Sequence, residues 1–556
     1  MAAVALPAHR GGLAGTALPA RWWSTVSARP VEAFCIGVGF LYAAFGAWMT
    51  LGLGFYEGDA LSRSANAMNV VLGRDPHVAA IGFVWNPLPS LVQIPLVLLL
   101  DRFNLIALAG PFSTAAFSAS TLWILDRTFR LLGVPTTARW ALLVLYAFNP
   151  FVFFYSANGL SEAPFVLFLL AATYEFLRWT RGQGLMPLIL FAGYAALAFL
   201  VRYEGVAFAG SAVLALALVS LSAARLEPDR LEAILLTFLA PVTYVVGLWI
   251  FFNWLFMGDP LYFQRSSYGN LAQTQNFRSG DTYLTGVVGD PMGALQYGLF
   301  RWTLLFPLAL PIALAALGRA LLRRDGALLG LLLLAGSVPV FHVYLAFSGT
   351  SFGWLRFFMY SIPFTFVILA YVMQRGTRGQ VPGRLRGPAW AVLLAMVALS
   401  TPASLFAMSQ PDVGREEWAI MGRFLDASAP VPPSFQFSTE REIATWVDAQ
   451  PAGTVVLMDS FLGFPANVFS RNHDRFAITS DRDFPEVLKQ PRGLVTHILV
   501  PNPGCPPNVA CLAQADQVSA AFPTLWASGA DWATLERDFG GLNGWRLYRV
   551  QPLEAR

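Results

Sequence analysis

Apolar runs of about twenty residues recur along this chain, and they constrain its fold more than any other feature. A helix needs roughly 20 such residues to cross the hydrocarbon core of a bilayer. Runs of that kind lie near residues 31–55, 104–126, 139–157, 162–178, 185–201, 205–222, 232–257, 296–318, 327–347, 355–373 and 389–408, which predicts a polytopic membrane protein of about eleven helices. Of the 556 residues 56% are hydrophobic and 13% charged, against about 25% charged in a soluble domain. That composition excludes a soluble enzyme, a disordered chain and a basic-patch nucleic-acid binder, and makes membrane lipids the surroundings. The N-terminus has no short apolar segment followed by a small-residue cleavage site, so the first run is expected to be retained.

Loop charges set the expected orientation. Residues 83–100 (FVWNPLPSLVQIPLVLLL) are apolar, but Pro87, Pro89 and Pro95 interrupt them. If this segment does not cross, Arg10, Arg21 and Arg29, then Arg127, Arg130 and Arg139, Arg178 and Arg181, Arg225 and Arg230, Arg319, Arg323 and Arg324, and finally Arg375, Arg378, Arg384 and Arg386 all fall on one side. Basic loops mark the cytoplasmic face. If 83–100 does cross, the N-terminal tail alone lands opposite the later basic loops. The first reading is the consistent one, and it makes 83–100 a re-entrant or juxtamembrane segment of the outer face. The expected organisation is then a cytoplasmic tail at 1–30, a transmembrane unit at 31–408 with long outer loops at 56–103 and 258–295, and an extracytoplasmic domain at 409–556.

That last segment reads as α/β. TVVLMDS (454–460), RFAITS (475–480) and THILVPN (496–502) are short apolar runs between turn residues, which suits buried parallel strands. WRLYRV (545–550) alternates like a final strand. TEREIATWVDAQ (439–450), DFPEVLKQ (483–490) and 512–522 have helical character, and APVPPS (429–434) is the linker. Cys505 and Cys511 enclose PPNVA; outside the cytoplasm a disulfide between them is the leading expectation. Two buried thiols or a metal pair are the other readings, the metal pair being the weakest because no His lies close in sequence.

The chain contains no P-loop, GxGxxG in a βαβ setting, HExxH or GxSxG. A reaction here would need a pre-activated substrate, such as a lipid-linked one. The first outer loop opens with FYEGDALSR (55–63), which sets Glu57 and Asp59 at the end of a span. A carboxylate at that depth can take the proton of an acceptor hydroxyl. Asp59 also precedes a plausible helix and is a good N-cap residue; the two roles are compatible.

A span, an acidic residue opening a long outer loop and the Pro-punctuated VWNPLPSLVQIPLVLL (84–99) together resemble the GT-C superfamily of polyprenyl-phosphate-sugar-dependent glycosyltransferases, which includes protein O-mannosyltransferases and lipid A aminoarabinose transferases. FNPFVFFYSANGLSEAPFVLFLLAATYEFLR (148–178), ALAFLVRYEGVAF (196–208) and WLRFFMYSIPFTFVILA (354–370) extend the resemblance over the membrane part. It implies transfer of a sugar from a polyprenyl-phosphate donor to a glycan, lipid or protein acceptor, with Asp59 as general base. Glu57 would be an accessory or metal-contacting carboxylate. The departure is the Glu-Gly-Asp spacing, where two adjacent carboxylates are usual. Across the family the reaction is metal-independent or metal-assisted by branch, so a divalent ion is an open expectation.

A phosphate leaving group gains charge as it departs, and Arg meets phosphate with a planar, bidentate fork. The outer-side candidates are Arg63, Arg202, Arg265 and Arg356. Arg356 is the first choice because it opens a span beside aromatics, as in the family. Arg202 could equally pair with Glu204. Glu162 is read chiefly as a helix cap with Ser161, and His342 as a buried bundle histidine. The alternative functions are a polyprenyl-linked oligosaccharide ligase or polymerase, and a lipid or glycan transporter.

Overall fold

The computed structural model describes residues 29–222, 228–277, 282–373, 383–426, 428–504, 512–541 and 544–552. Each expected span is helical. Six helices among the described residues are long and apolar enough to cross a membrane: Pro30–Gly52, Ile106–Leu131, Pro228–Met257, Gly326–Ser348, Leu355–Val372 and Gly387–Met408. Met186–Val201 and Gly205–Leu221 are shorter apolar helices. The run at 296–318 is two helices, Pro291–Leu305 and Ala309–Arg323, bent by 108°. Pro307 accounts for the break, since it pushes the preceding Phe306 out of helical geometry (φ −149°, ψ 88°). Asn149–Pro150 divides 139–157 in the same manner; Asn149 caps the second piece, Pro150–Tyr155, by accepting from the N–H groups of Phe151 and Val152. In the 83–100 segment the helices Leu88–Leu91 and Ile94–Asp101 are far too short to cross.

Small residues and single polar ties set helix proximity here, as expected where lipid offers no hydrophobic drive between helices. Tyr42 of the first span is fully buried and its hydroxyl donates to the Ala147 carbonyl at 2.8 Å. A Cβ at Gly46 would come within 2.5 Å of the Ala157 carbonyl oxygen. Gly159 has φ +87°, and a Cβ there would lie 2.9 Å from that of Ala60. This glycine lets the outer turn before Glu162 rest on helix Gly58–Val71, which carries Asp59. The same helix holds the Pro-punctuated segment: Ser64 Oγ donates to Gln93 Oε1 at 2.7 Å. Asn86 donates to the Phe199 carbonyl at 2.6 Å, which gives it a structural use.

The last part of the chain forms a five-stranded sheet of order β2-β1-β3-β5-β4, with β1 Val456–Leu457, β2 Phe476–Ala477, β3 His497–Pro501, β4 Ala533–Gly540 and β5 Trp545–Val550. β1 pairs in parallel with β2 and β3, and β5 runs antiparallel to β3 and β4. The apolar runs locate β1, β2, β3 and β5. β4 escapes them because it is an edge strand with a mostly exposed, charged sequence. Cys505 and Cys511 lie outside the described residues.

This sheet domain is clamped to the loop at 56–103. Arg74 pairs with Asp481 at 2.9 Å and with Asp483; Arg482 pairs with Asp75. His473 Nε2 lies 3.1 Å from Asp101 Oδ1, and Asn467 donates to Asn69 at 3.2 Å. The second outer loop reaches it too, through the Tyr268 hydroxyl, which donates to Asp459 at 2.6 Å.

Candidate active site

Helix Gly58–Val71 begins with Glu57 in the N-cap position, without a side-chain cap bond. Asp59 therefore stands inside the first turn and is not the cap. Its side chain is 61% exposed, and Oδ2 accepts from Arg356 Nη2 at 2.8 Å. Arg356 lies on the short 3-10 turn Leu355–Phe358, itself buried, under the rings of Trp354 and Phe357. Its other nitrogens face two further carboxylates: Nη1 pairs with Glu416, and Nε lies 3.3 Å from Glu162 Oε1.

Glu162 is almost wholly buried and links this arginine to a second one. Its Oε1 also accepts from Arg202 Nη1 at 2.5 Å. Arg202 in turn holds Glu204 Oε1 at 2.6 Å from Nη2, and His342 Nε2 stands 3.4 Å from the same oxygen. The His342 ring is stacked on Phe357, 4.1 Å between centroids. Ser161 does not cap the helix it precedes. Its hydroxyl accepts instead from Arg202 Nη1 at 3.2 Å and Arg63 Nη2 at 3.4 Å.

Arg63 differs from the other two. It is buried, no carboxylate lies within ion-pair distance of it among the described residues, and its Nη1 has no hydrogen-bond partner. Burial pulls its guanidinium down to about 10, the nearby Asp59 and Glu162 opposing that fall. A buried cation without an anion is costly unless something supplies one. Arg265 is not brought to this cluster: it pairs with Asp259 at 3.2 Å and is 65% exposed.

Glu57 faces inward. Its Oε1 is buried and without a partner among the described residues. Burial, then the neighbouring Glu416, pushes its carboxyl well above the ordinary range. The folded state thus holds a proton that the unfolded chain releases above about pH 4.5, and stability is lost as pH rises from there. Glu57→Gln mimics the protonated form. Its thermal unfolding in detergent is expected to match or exceed wild type at about pH 8, with a flatter pH dependence. A clear loss of stability at that pH would show that the carboxylate is charged and paired.

Glu416 and Glu417 are the residues that sequence reasoning missed. They open helix Arg415–Leu425, directly after the last span. Both are buried; the Tyr155 hydroxyl donates to Glu417 at 2.5 Å and lies 3.2 Å from Glu416 Oε2. Burial raises the Glu416 carboxyl to about 8, Arg356 opposing that rise. A Glu-Glu pair in the first turn after the last span was a readable signal, but its partners lie far away in sequence. No group of three His, Cys, Asp or Glu side chains among the described residues is arranged to hold a metal ion.

No family model matches the sequence, and no curated protein does either. Solved structures do match in fold. ArnT from Cupriavidus metallidurans bound to undecaprenyl phosphate superposes with a TM-score of 0.52 at 11% identity, covering 93% of this chain and 97% of that one. Its apo form gives a TM-score of 0.50 at 13% identity over 95% and 98%. An oligosaccharyltransferase from Archaeoglobus fulgidus gives 0.46 at 12% identity, over 86% and 70%. Near-complete coverage of both chains, joined to the apolar helices and the small terminal sheet, makes this an integral membrane protein with the fold seen in ArnT.

Proposed function

We propose that this chain transfers a sugar from a polyprenyl-phosphate carrier to a hydroxyl of a glycan, lipid or protein acceptor at the outer face of the cytoplasmic membrane. The observation that carries this reading is the exposed Asp59 carboxylate, held by Arg356, one helical turn before the buried Arg63, whose Nη1 has no hydrogen-bond partner and which no carboxylate pairs among the described residues. A base that meets solvent thus stands beside a buried cation that lacks an anion. The solved neighbour with undecaprenyl phosphate bound supports the choice of carrier.

In this reaction the acceptor O–H gives its proton to an Asp59 oxygen while the acceptor oxygen bonds to the anomeric carbon. The bond from that carbon to the phosphate oxygen breaks, and its electron pair stays on the phosphate. The added charge falls to Arg63, through Nη1. Arg356, first choice from its place in the sequence, has all three nitrogens facing carboxylates and serves to fix Asp59. Arg202 and Glu162 hold that arrangement from behind, with Glu204 and His342 beside Arg202. Low dielectric and immobile donors make such charge stabilisation effective.

The experiment is to incubate purified protein with a panel of radiolabelled polyprenyl-phosphate sugars and an envelope extract as acceptor source. Release of polyprenyl phosphate with one sugar is expected; intact donors throughout would reject the reading. Arg63→Met separates the roles. It should weaken donor use by about 10- to 150-fold, the value of a charge-assisted contact of roughly 1.5–3 kcal/mol. Thermal stability should hold or rise, because a buried unpaired charge has gone. Unchanged donor dependence would remove the phosphate from Arg63.

The outer-face assignment is read from the basic loops and from the odd number of apolar runs in the sequence, eleven of them. A cysteine placed at Ser434 should be labelled from outside intact cells and one at Thr377 should not. The reverse pattern would move the site to the cytoplasm.

A further inference from the structure

The three carboxylates around Arg356 have the composition of a divalent-metal site: Asp59 from the first outer loop, Glu162 from the turn before a span and Glu416 from the segment after the last one. A divalent ion in such a place needs carboxylate oxygens free to converge on it, at roughly 2.0–2.6 Å. Here each carboxylate is turned toward a different nitrogen of one guanidinium. Asp59 Oδ2 is 2.8 Å from Nη2, Glu162 Oε1 is 3.3 Å from Nε, and Glu416 Oε1 contacts Nη1. The planar fork spreads one positive charge over three nitrogens and directs its donors outward. It therefore separates the carboxylates that a metal would draw together.

The surrounding charges point the same way. Arg202 shares Glu162 Oε1 with Arg356, and Arg63 reaches the same Ser161 hydroxyl as Arg202. Three arginines thus converge on one turn, and a divalent cation entering it would meet their charges at low dielectric. The His342 ring, which could ligate, is stacked on Phe357 and faces Glu204. The residues present do not fit a metal at this centre.

We propose that the Arg356 guanidinium takes the place of a divalent cation among Asp59, Glu162 and Glu416, so that the centre works without bound metal and Arg356 acts as a positioning residue for Asp59. The metal half of this proposal stands on geometry alone; the positioning half rests on the glycosyl-transfer reading above. Positive charge at the centre is then built into the chain and does not depend on metal supply.

The test uses full-length protein in detergent, stripped with EDTA and titrated with Mn2+ at about pH 8, where carboxylates favour metal. Free Mn2+ is followed by its electron paramagnetic resonance signal. The expected result is that wild type takes up no Mn2+ that Asp59→Asn or Glu416→Gln abolishes. Arg356→Met frees the three carboxylates and should acquire one Mn2+ per chain, lost again when Glu416→Gln is added. One Mn2+ bound by wild type and lost in Asp59→Asn or Glu416→Gln overturns the proposal. Should Arg356→Met fail to fold, the wild-type titration with those two controls decides. Where transfer is measurable, EDTA-stripped wild type should keep full activity, and a loss restored by Mn2+ or Mg2+ also overturns it. Absence of transfer from every donor would reject the functional reading and leave the Mn2+ result standing.

Discussion

Asp59→Asn is expected to lower turnover by about 100-fold or more, the contribution of a well-placed general base, while leaving the protein folded. Asparagine keeps an oxygen for Arg356 Nη2 and loses only the negative charge and the proton acceptor. The side chain is 61% exposed, and an ion pair so open to solvent adds about 0–1 kcal/mol to stability. Asp59 sits within the helix and does not cap it, so the substitution leaves no helix end unsatisfied. Donor binding should survive, because the phosphate contact belongs to Arg63. Turnover, donor binding and thermal unfolding measured on the same preparation decide the matter. Near-normal turnover in a folded variant would take the base role away from Asp59; Glu57, buried and held toward its neutral form, would be a poor successor.

Glu162→Ala should give the largest stability loss. Glu162 Oε1 is shared by Arg202 and Arg356, and its side chain is 1% exposed. Removing it leaves Arg356 with Asp59 and Glu416, and Arg202 with Glu204 alone. Breaking a buried pair from one side costs about 3–5 kcal/mol, and here both cations lose a partner. Glu162→Gln keeps an acceptor oxygen and should recover part of that loss. The comparison is made by thermal unfolding in detergent at matched pH. If Glu162→Ala unfolds like wild type, Glu204, Asp59 and Glu416 suffice to hold the two arginines and Glu162 is not the link between them.

Helix positions were legible because lipid demands long apolar runs, and each of those runs is helical. Breaks inside them were legible only in part. Phe306–Pro307 and Asn149–Pro150 carry the local signal, yet an apolar run masks it when only length is weighed. The site divides along similar lines. Asp59, Arg63, Arg202 and Arg356 are rare charges near the ends of apolar segments, which made them visible one by one. Their pairing was not visible, because Arg356 and Asp59 lie 297 residues apart and Arg356 and Glu416 lie 60 apart. Which arginine lacks a carboxylate partner is a property of the assembled network. Glu416 was overlooked because the chain after the last span reads as the start of a soluble domain. Arg265, in a polar aromatic loop, looked equally suitable and is held instead by its own loop through Asp259.

The clamp between the two ends of the chain bears on how the protein is made. Arg74 and Asp481 are 407 residues apart, and Glu416 also joins Asp59 through Arg356 only after the last span. At translation rates of about 5–20 residues per second, the first outer loop waits roughly 20–80 s for its partners. During that interval the Asp59 helix lacks first Arg356 and then the Glu416 carboxylate that completes the arginine's coordination. Competence is therefore acquired last, after every span has been inserted, and a chain truncated before its terminal sheet would reach the membrane with its first loop unanchored.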